Sequence, residues 1–330
     1  METKQYGWVV QNNLTSDRYV YENFIKIFEK YKIPYELVEV IPFHDELPKF
    51  NRSRPNIFYG STTMMNNVYN DKSINQGLFF NPETFRMDLY IQKWGDLMLN
   101  NKARVSTFND IIKENHKDDE LFFIRPVDDS KLFTGTVKTF EEIKDWQKNT
   151  AVIKDGLLTE DTPILIGEPY KINKEWRNII VNGKVISSSR YYKDGYLNKS
   201  AIDIPSQVID LCEKACSIFT PHDVFAMDIA ETGGEYYILE CGCFNSVGFY
   251  DIDMEKVILA IDEYFQNIIN KKFTLSDLKD AYLNGWYDRE IGFQHSKEKI
   301  KPDNFMKLYL NYKSDEVKSC DSSRSRTENV

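Results

Sequence analysis

The chain has 330 residues, of which 42% are hydrophobic, and it carries a net charge of −9. The acidic balance and the lack of a basic stripe disfavour a general nucleic-acid-binding surface, which needs Lys and Arg clustered against the phosphates, although a local basic channel stays open. No apolar run approaches the roughly 18 residues that span a bilayer, so the composition predicts no membrane partner.

The first residues, Met-Glu-Thr-Lys-Gln, lack an apolar targeting core. We therefore expect a soluble cytoplasmic protein. A chain of this length is too long for one small core and suits about two or three subdomains around a cleft.

The N-terminal part alternates strand and helix patterns. Residues 7–10 and 35–41 have strand character, helical periodicity covers residues 17–31, and residues 56–61 form a third strand that runs into a glycine. This order predicts a small parallel α/β unit. Residues 85–99 are predicted to form a further helix.

From about residue 100 onwards the pattern changes to short strands separated by turns rich in Gly and Asp, which predicts antiparallel sheets in an α+β arrangement. Asn182-Gly183 is a strong hairpin signal between two of these strands. The predicted strands are residues 121–125, 164–168, 177–181 and 185–190, followed by a helix at residues 206–219.

Two carboxylates are embedded in the apolar runs of a further predicted hairpin. Asp228 lies in the run 225–230, Glu240 ends the run 236–240, and Gly233-Gly234 supplies the turn. Pairing across this hairpin can bring both acids onto one face. Ionised carboxylates among aliphatic residues need a compensating cation or hydrogen bonds, and hard oxygen ligands suit Mg²⁺. The alternative is a hairpin whose acids simply point to water.

The C-terminal part is predicted to contain an amphipathic helix at residues 254–269, an aromatic-bearing appendage at 271–312 and a polar, serine-rich tail at 313–330 that is disordered. The five cysteines are expected to be reduced thiols. Cys212 and Cys216 lie four residues apart and Cys241 and Cys243 flank a glycine, so a zinc site is one interpretation, but packed core thiols are favoured over it.

Several motifs follow one another along the chain in an order that is itself informative. They are Arg125-Pro126, the loop at residues 129–135, Glu168-Pro169-Tyr170, Glu175-Trp176-Arg177, Asp228 and residues 240–245. In this order and spacing they resemble the ATP-grasp superfamily, most closely its clade named for one conserved arginine and two lysines. Members of that clade often end in Asn-Ser-x-Gly-Phe-Tyr, as residues 245–250 do here.

The resemblance implies a fold that combines α/β and α+β parts. Residues 1–99 would be a Rossmann-like pre-ATP-grasp domain, and residues 100–270 a two-lobed ATP-grasp fold that binds nucleotide between its lobes. The appendage at 271–312 and the tail at 313–330 lie beyond the resemblance.

The resemblance also assigns roles to two cationic residues. Arg125 stands where family members usually place a phosphate-binding lysine, and a guanidinium there can contact phosphate in bidentate fashion. Lys131 lies in the place of the loop that covers the phosphates. The alternatives are an Arg125 paired with Asp128 or Asp129, and a plain surface turn around Lys131.

A second group of residues would bind the nucleoside. Glu168, Pro169 and Tyr170 resemble the hinge that reads adenine, and Glu175, seven residues after Glu168, falls where the family has a ribose-binding acid. Asn198 resembles a position that some relatives use in the triphosphate site. The competing interpretation treats Glu168 and Glu175 as ordinary glutamates of an edge strand.

Arg177 and Arg190 belong to one predicted hairpin and are expected to face the cleft, where in family terms they would stabilise a transferring phosphate or hold a substrate carboxylate. Solvated surface charges are the alternative for each. Metal would be held by Asp228 and Glu240. Most relatives read Glu-x-Asn on the second metal strand, whereas this chain has Gly242 at the third position, so Asn245 is the residue expected to turn back as a further ligand.

The activity implied by the resemblance is ATP- and Mg²⁺-dependent ligation of a carboxylate to an amine through an acyl phosphate, with release of ADP and phosphate. Two alternatives stay open, an ATP-binding module without ligation and an ATP-dependent phosphotransferase on the same fold. The partners would be small-molecule or peptide carboxylates and amines. The sequence identifies neither the acceptor nor the oligomeric state.

Overall fold

The computed structural model describes residues 6–14, 18–42, 44–71, 74, 77–152 and 158–270. The described residues up to Asp262, apart from Gly77, form one compact unit, and Gly77 with the described residues 263–270 belongs to a second unit. The division predicted at residue 99 is not a boundary between these units and stays a prediction. The predicted appendage at 271–312 and tail at 313–330 lie outside the described residues.

A three-stranded parallel sheet opens the chain. Strands β1 (Gly7–Gln11), β2 (Tyr35–Val38) and β3 (Asn56–Tyr59) lie in the order β2-β1-β3, and helix α1 (Arg18–Tyr31) connects the first two. Every residue of β1 is buried, as expected of a central parallel strand that is covered on both faces. The parallel α/β unit predicted from the sequence is confirmed, and its kinship with Rossmann-like domains stays a prediction.

Two helices follow this sheet. Helix α2 (Thr62–Asn70) begins after Ser61, whose side chain accepts a hydrogen bond from the backbone N–H of Met64. Helix α3 (Met87–Trp94) is shorter than the predicted helix at 85–99, because Gly95 adopts φ of 50° and ends it. A 3₁₀ turn at Gly95–Leu97 completes the segment.

A four-stranded antiparallel sheet occupies the middle of the chain. It consists of β4 (Arg104–Ser106), β5 (Leu121–Pro126), β6 (Thr136–Thr139) and β7 (Ile164–Gly167), in the order β4-β7-β5-β6. Helices α4 (Phe108–Ile111) and α5 (Phe140–Val152) contribute to the core of this lobe. The buried side chains that form this core include Phe108, Ile111, Ile124, Ile143 and Ile166.

A five-stranded antiparallel sheet follows. It consists of β8 (Lys174–Val181), β9 (Lys184–Lys193), β10 (Tyr196–Ser200), β11 (Val224–Thr232) and β12 (Glu235–Cys243), in the order β10-β9-β8-β11-β12. Its three tight turns, Asn182-Gly183, Asp194-Gly195 and Gly233-Gly234, each place two successive residues at positive φ, as type I′ hairpins require. Both hairpins predicted from glycine-bearing turns are therefore confirmed.

Helix α6 (Ser206–Ile218) packs on one face of the five-stranded sheet, and helix α7 spans Met254–Asn270. Val208, Cys212 and Ala215 of α6 join a buried cluster that includes Trp176 and Met227 of the sheet. Cys212, Cys241 and Cys243 are buried members of this core, and the four cysteines of the described ranges are free thiols. This supports the packed-thiol interpretation over a zinc site.

Within the described residues, no helix combines the length and the apolar character needed to cross a membrane.

Candidate functional site

Three charged side chains lie side by side across the five-stranded sheet. Asp228 of β11 is the register partner of Glu240 on β12 and of Arg177 on β8. Residues directly opposed in antiparallel strands project from the same face. The prediction that the hairpin brings its two acids onto one face is therefore confirmed, and the face also carries an arginine.

Arg177 binds Asp228 through two hydrogen bonds. Nε donates to Oδ1 at 2.9 Å and Nη2 donates to Oδ2 at 2.7 Å, while the aspartate is only 2% exposed. Burial acts to lower the pKa of Arg177, but the charge of Asp228 and its hydrogen bonds outweigh burial and raise that pKa. Burial in turn raises the pKa of Asp228, and Arg177 is the main group that opposes the rise. The pKa of each residue thus depends on the charge of the other.

A second ion pair joins the two antiparallel sheets. Arg125, at the end of β5 in the four-stranded sheet, places Nη1 2.5 Å from Oε2 of Glu240 in the five-stranded sheet. Burial acts to raise the pKa of Glu240, but the positive charges of Arg125 and Arg177 lower it below its ordinary value. Arg125 therefore pairs with an acid, as its alternative interpretation proposed, but the acid is Glu240 and neither Asp128 nor Asp129.

The loop after β5 reaches the end of β12. Asp129 accepts a hydrogen bond from the backbone N–H of Cys243 at 3.3 Å, and Lys131 Nζ lies 3.4 Å from Ser246 Oγ. Lys131 has φ of 54°, in the left-handed region that few residues other than glycine adopt. The loop thus brings its lysine close enough for its charge to lower the pKa of Glu240, while a phosphate contact of Lys131 stays a prediction.

Two tyrosines for which the sequence predicted no role complete the cluster. The Tyr191 hydroxyl donates to Glu175 Oε2 and lies 3.2 Å from Asp228 Oδ2. Its ring stacks on that of Tyr250, with centroids 4.6 Å apart and planes at 8°. Arg177 Cζ lies 5.6 Å and 5.0 Å from the two ring centroids, within cation–π range. Tyr191 belongs to no sequence motif, whereas Tyr250 is the last residue of the Asn-Ser-x-Gly-Phe-Tyr motif and could have been predicted from it.

Glu168, Pro169 and Tyr170 lie in the segment between β7 and β8, which links the four-stranded sheet to the five-stranded one. Glu168 is exposed and Tyr170 is 37% exposed. Glu175 lies on β8 beside Tyr191, and burial raises its pKa, with Asp228 and Glu240 adding to the rise. The segment has the position of a hinge between two lobes.

Arg190 and Asn198 are not brought into the cluster. Arg190 Nε donates to Asn198 Oδ1 at 2.9 Å across the β9–β10 hairpin. Register pairs Arg190 with Trp176, one residue along β8 from Arg177, so alternation directs it to the other face of the sheet. The expectation that both arginines face one cleft is corrected to Arg177 alone. Lys199 lies closer, with Nζ 5.8 Å from the Tyr250 ring centroid.

Asn245 has a different environment from the one expected of a metal ligand. Its side chain is 0% exposed, Nδ2 donates to the carbonyl of Phe58 at 2.5 Å, and Oδ1 accepts from the backbone N–H of Phe79 at 2.7 Å. The carbonyl of Asn245 also accepts from Gly60 at 2.8 Å. These bonds tie the end of β12 to the N-terminal sheet, and metal binding by this amide would break them.

Asp228 and Glu240 fit a metal ion that is shared with a ligand. The Glu240 side chain is 33% exposed and pairs with Arg125 through Oε2. In the part of the chain that the structure describes, no group of three or more His, Cys, Asp or Glu residues could hold a metal on its own. Mg²⁺ commonly takes one or two carboxylates and completes its shell with water and substrate phosphates. The donor set suits that arrangement better than a cation held by protein ligands alone.

A family model matches residues 99–260, and its description is an ATP-grasp domain, family 2 of the clade named for one arginine and two lysines. These residues are an ATP-grasp domain. The match begins just before β4 and ends within α7, so it contains both antiparallel sheets and every charged residue of the cluster. The mixed helices and antiparallel sheets expected from the resemblance are the fold of this domain.

Several solved structures share this fold. The ligase PsnB complexed with a minimal precursor is 13% identical with a TM-score of 0.51, and the match covers 79% of this chain and 100% of that chain. PsnB with precursor peptide PsnA2 and AMPPNP is 11% identical with a TM-score of 0.50, and the match covers 78% of this chain and 98% of that chain. A RimK domain ATP-grasp protein from Sphaerobacter thermophilus is 10% identical with a TM-score of 0.51, and the match covers 79% of this chain and 97% of that chain. No curated protein matches the sequence.

Proposed function

We propose that this protein is an ATP-dependent carboxylate–amine ligase that forms an amide bond through an acyl phosphate and releases ADP and phosphate. The observation that carries the proposal is the charged row formed by Arg177, Asp228 and Glu240, which Arg125 joins from the facing sheet. The acids of this row can bind a cation and its arginines can bind phosphate. A row with both charges therefore suits a metal–nucleotide ligand better than a row of acids or of arginines alone.

Arg125 and Lys131 are the proposed phosphate contacts. Arg125 lies near the end of β5, and its planar guanidinium can contact a phosphate through two parallel hydrogen bonds. Lys131 lies on a loop whose small residues, Thr134 and Gly135, let backbone N–H groups approach an anion. Lys199, near Tyr250, is a further cation at the margin of the same cluster.

Asp228 and Glu240 are the proposed metal ligands, and Glu240 is the more accessible of the two because its side chain is 33% exposed whereas that of Asp228 is 3% exposed. When bound, Mg²⁺ would offset the negative charge of the phosphates and of the transferring group. Arg177, which holds Asp228 here, would then have its guanidinium available for an anionic substrate group. Asn245 would join the metal only by giving up its bonds to Phe58 and Phe79.

The nucleoside contacts are proposed for the segment between the two antiparallel sheets. Glu168, Pro169 and Tyr170 would contact adenine, and Glu175 would accept from the ribose hydroxyls. Asn198 stays a proposed contact of the triphosphate and would have to leave Arg190 to reach it. Arg190 is not proposed as a substrate contact, because it projects from the other face of the sheet.

The test is an ADP-release assay over a matrix of carboxylates and amines, with Mg²⁺ and ATP present throughout. PsnB is described with a precursor peptide, so peptides belong in the matrix beside free amino acids. A ligase releases ADP only when a carboxylate and an amine are both present. A stable phosphorylated product without amine would identify a phosphotransferase instead, and nucleotide binding without turnover in the whole matrix would favour a binding module.

Variants separate the metal assignment from the rest. Asp228→Asn and Glu240→Gln are each expected to lower turnover by about 10²- to 10³-fold, the usual cost of removing one charge-stabilising group from a dry site. Glu231→Gln is the matched control, because Glu231 also lies on β11 and pairs with Lys174 at 2.8 Å outside the cluster. Normal ATP turnover in both site variants would reject the metal assignment.

A further inference from the structure

Tyr191 is the extra residue at an irregularity in the pairing of β8 and β9. Trp176 pairs with Arg190 and Glu175 pairs with Tyr192, so β9 has one residue more than β8 between these two pairs. Such bulges recur beside active sites, where they redirect a side chain. A second shift lies in β12, between the partners of Asp228 and Ile229, and the charged row therefore lies between two bulges.

The hydroxyl of Tyr191 connects two acids to which the proposed function gives different tasks. It donates to Glu175, the proposed ribose contact, and lies 3.2 Å from Asp228, the proposed metal ligand. A phenol carries one proton, so the two carboxylates share one donor. A displacement of either acid therefore changes the bond available to the other.

The ring of Tyr191 is held in place from outside the hairpin. Tyr250, on the connection between β12 and α7, stacks on it with planes at 8°. Tyr250 has φ of 52°, a conformation that a bulky side chain adopts only when its surroundings determine it. Arg177 lies within cation–π distance of both rings and donates to the carbonyl of Gly248 at 3.2 Å, which fixes the segment that bears Tyr250.

We propose that Tyr191 is a positioning residue that orients Glu175 toward the nucleotide's ribose hydroxyls and couples ribose recognition to Asp228. Tyr191 touches neither ribose nor metal in this role and acts through the two carboxylates. The inference rests on the proposed function, because it takes from it the roles of Glu175 and Asp228.

The experiment compares two ligands and measures binding instead of turnover. Calorimetry of the full chain with Mg²⁺ gives the affinities of AMPPNP and of its 2′,3′-dideoxy counterpart for the wild type, Tyr191→Phe and Tyr192→Phe. Tyr191→Phe removes the hydroxyl and keeps the ring that stacks on Tyr250. Tyr192→Phe is the matched control, since it removes a hydroxyl from the adjacent residue.

The wild type is expected to prefer the ligand that bears ribose hydroxyls. In Tyr191→Phe, AMPPNP binding should weaken about tenfold while binding of the dideoxy ligand changes less than about twofold, because one charge-assisted hydrogen bond is lost. Tyr192→Phe should retain the full preference. Glu175→Gln should show the same selective loss, and combining it with Tyr191→Phe should add little, because both changes remove one interaction.

Retention of the ribose preference by Tyr191→Phe would overturn the inference. Equal weakening of both ligands would also overturn it, because that result indicates a structural effect without selectivity. A wild type that binds both ligands equally would overturn the role of Glu175 and this inference with it, while leaving nucleotide binding in place. A wild type that binds neither ligand would overturn the proposed function itself.

Discussion

Arg177 contacts both carboxylate oxygens of Asp228, with Nε 2.9 Å from Oδ1 and Nη2 2.7 Å from Oδ2. The aspartate is buried, so the guanidinium is the cation that offsets its charge. Arg177 therefore occupies the side of Asp228 that a metal ion would otherwise neutralise. The arginine and a metal would compete for the same acid.

This competition predicts that Arg177→Gln raises the affinity for Mg²⁺ alone. Without its partner, Asp228 is left beside Glu240 with an uncompensated charge, and loss of one partner of a buried pair costs about 3–5 kcal/mol of stability. Mg²⁺ should recover part of that loss by replacing the arginine. The measurement is the melting temperature at about pH 8 with and without Mg²⁺, in the absence of nucleotide.

Arg190→Gln is the control for Arg177→Gln, since Arg190 is an arginine of the neighbouring strand that bonds Asn198. It should show neither the destabilisation nor the response to Mg²⁺. An Arg177→Gln protein that Mg²⁺ does not stabilise would show that Asp228 is not a metal ligand.

Arg125→Lys is predicted to weaken binding of the nucleotide triphosphate about tenfold, because lysine makes a single-point contact where arginine makes two. Lysine keeps the positive charge that pairs with Glu240, so the variant should still fold. Calorimetry with AMPPNP and with adenosine separates the two effects, since adenosine has no phosphate and should bind both proteins alike.

Arg104→Lys is the matched change for Arg125→Lys. Arg104 lies on β4 of the same sheet and pairs with Glu114. Its substitution should leave both affinities unchanged. Equal weakening of AMPPNP and adenosine binding in Arg125→Lys would contradict a phosphate contact.

Asn245→Ala is predicted to act on stability. The substitution leaves the carbonyl of Phe58 and the N–H of Phe79 without their partner, at about 1–3 kcal/mol for each buried group. Urea denaturation measures the loss, with Asn198→Ala as an exposed control that should change stability little. If Asn245→Ala instead leaves stability intact and abolishes the effect of Mg²⁺ on AMPPNP binding, Asn245 is a metal ligand after all.

His116 is predicted to stabilise the four-stranded lobe, and this contribution to stability is lost in alkaline solution. Its ring nitrogens lie 2.9 Å from Glu114 Oε2 and 3.1 Å from Glu120 Oε1, and the bond to Glu114 is the main cause that raises the pKa of His116 above 6.5. The folded state then holds the proton more tightly than the unfolded state. The contribution is full below about pH 6.5 and is lost as the pH rises through the raised pKa.

The measurement for His116 is the free energy of unfolding at about pH 6 and about pH 9 for the wild type and His116→Gln. The two proteins should differ more at the lower pH and converge at the higher one. His44→Gln is the control for the loss of a histidine elsewhere in the chain, where the ring accepts a hydrogen bond from the backbone N–H of Glu46. A difference that grows toward alkaline pH would contradict the assignment.

The hairpins and the acidic row could be predicted from the sequence because their signals are local. Asn182-Gly183 and Gly233-Gly234 need positive φ at two successive positions, and asparagine and glycine supply it. Period-two alternation in the strands then places Asp228 on one face of its hairpin. Its register with Glu240 also depends on the bulge between Asp228 and Ile229, because the turn alone would set Leu239 opposite Asp228. Helix α3 shows the limit, since its apolar pattern continues past Gly95 although the backbone there ends the helix.

The partners of the charged residues could not be predicted, because they depend on packing between distant segments. The pairing of Arg125 with Glu240 requires the four-stranded sheet to meet the end of β12, a contact between residues far apart in the chain. The role of Tyr191 depends on a bulge that no glycine in the sequence indicates. Asn245 appeared free to turn back because the sequence does not reveal that β3 lies beside it.

The order of strands and helices, the turn types and the set of acids and arginines are all encoded locally, since they follow from alternation, glycine placement and residue chemistry over a few neighbours. Which cation neutralises which carboxylate is fixed only on folding. That choice is made where Arg125, Arg177 and Tyr191 from three strands meet Asp228 and Glu240, and buried charges are stable only when such partners come into contact.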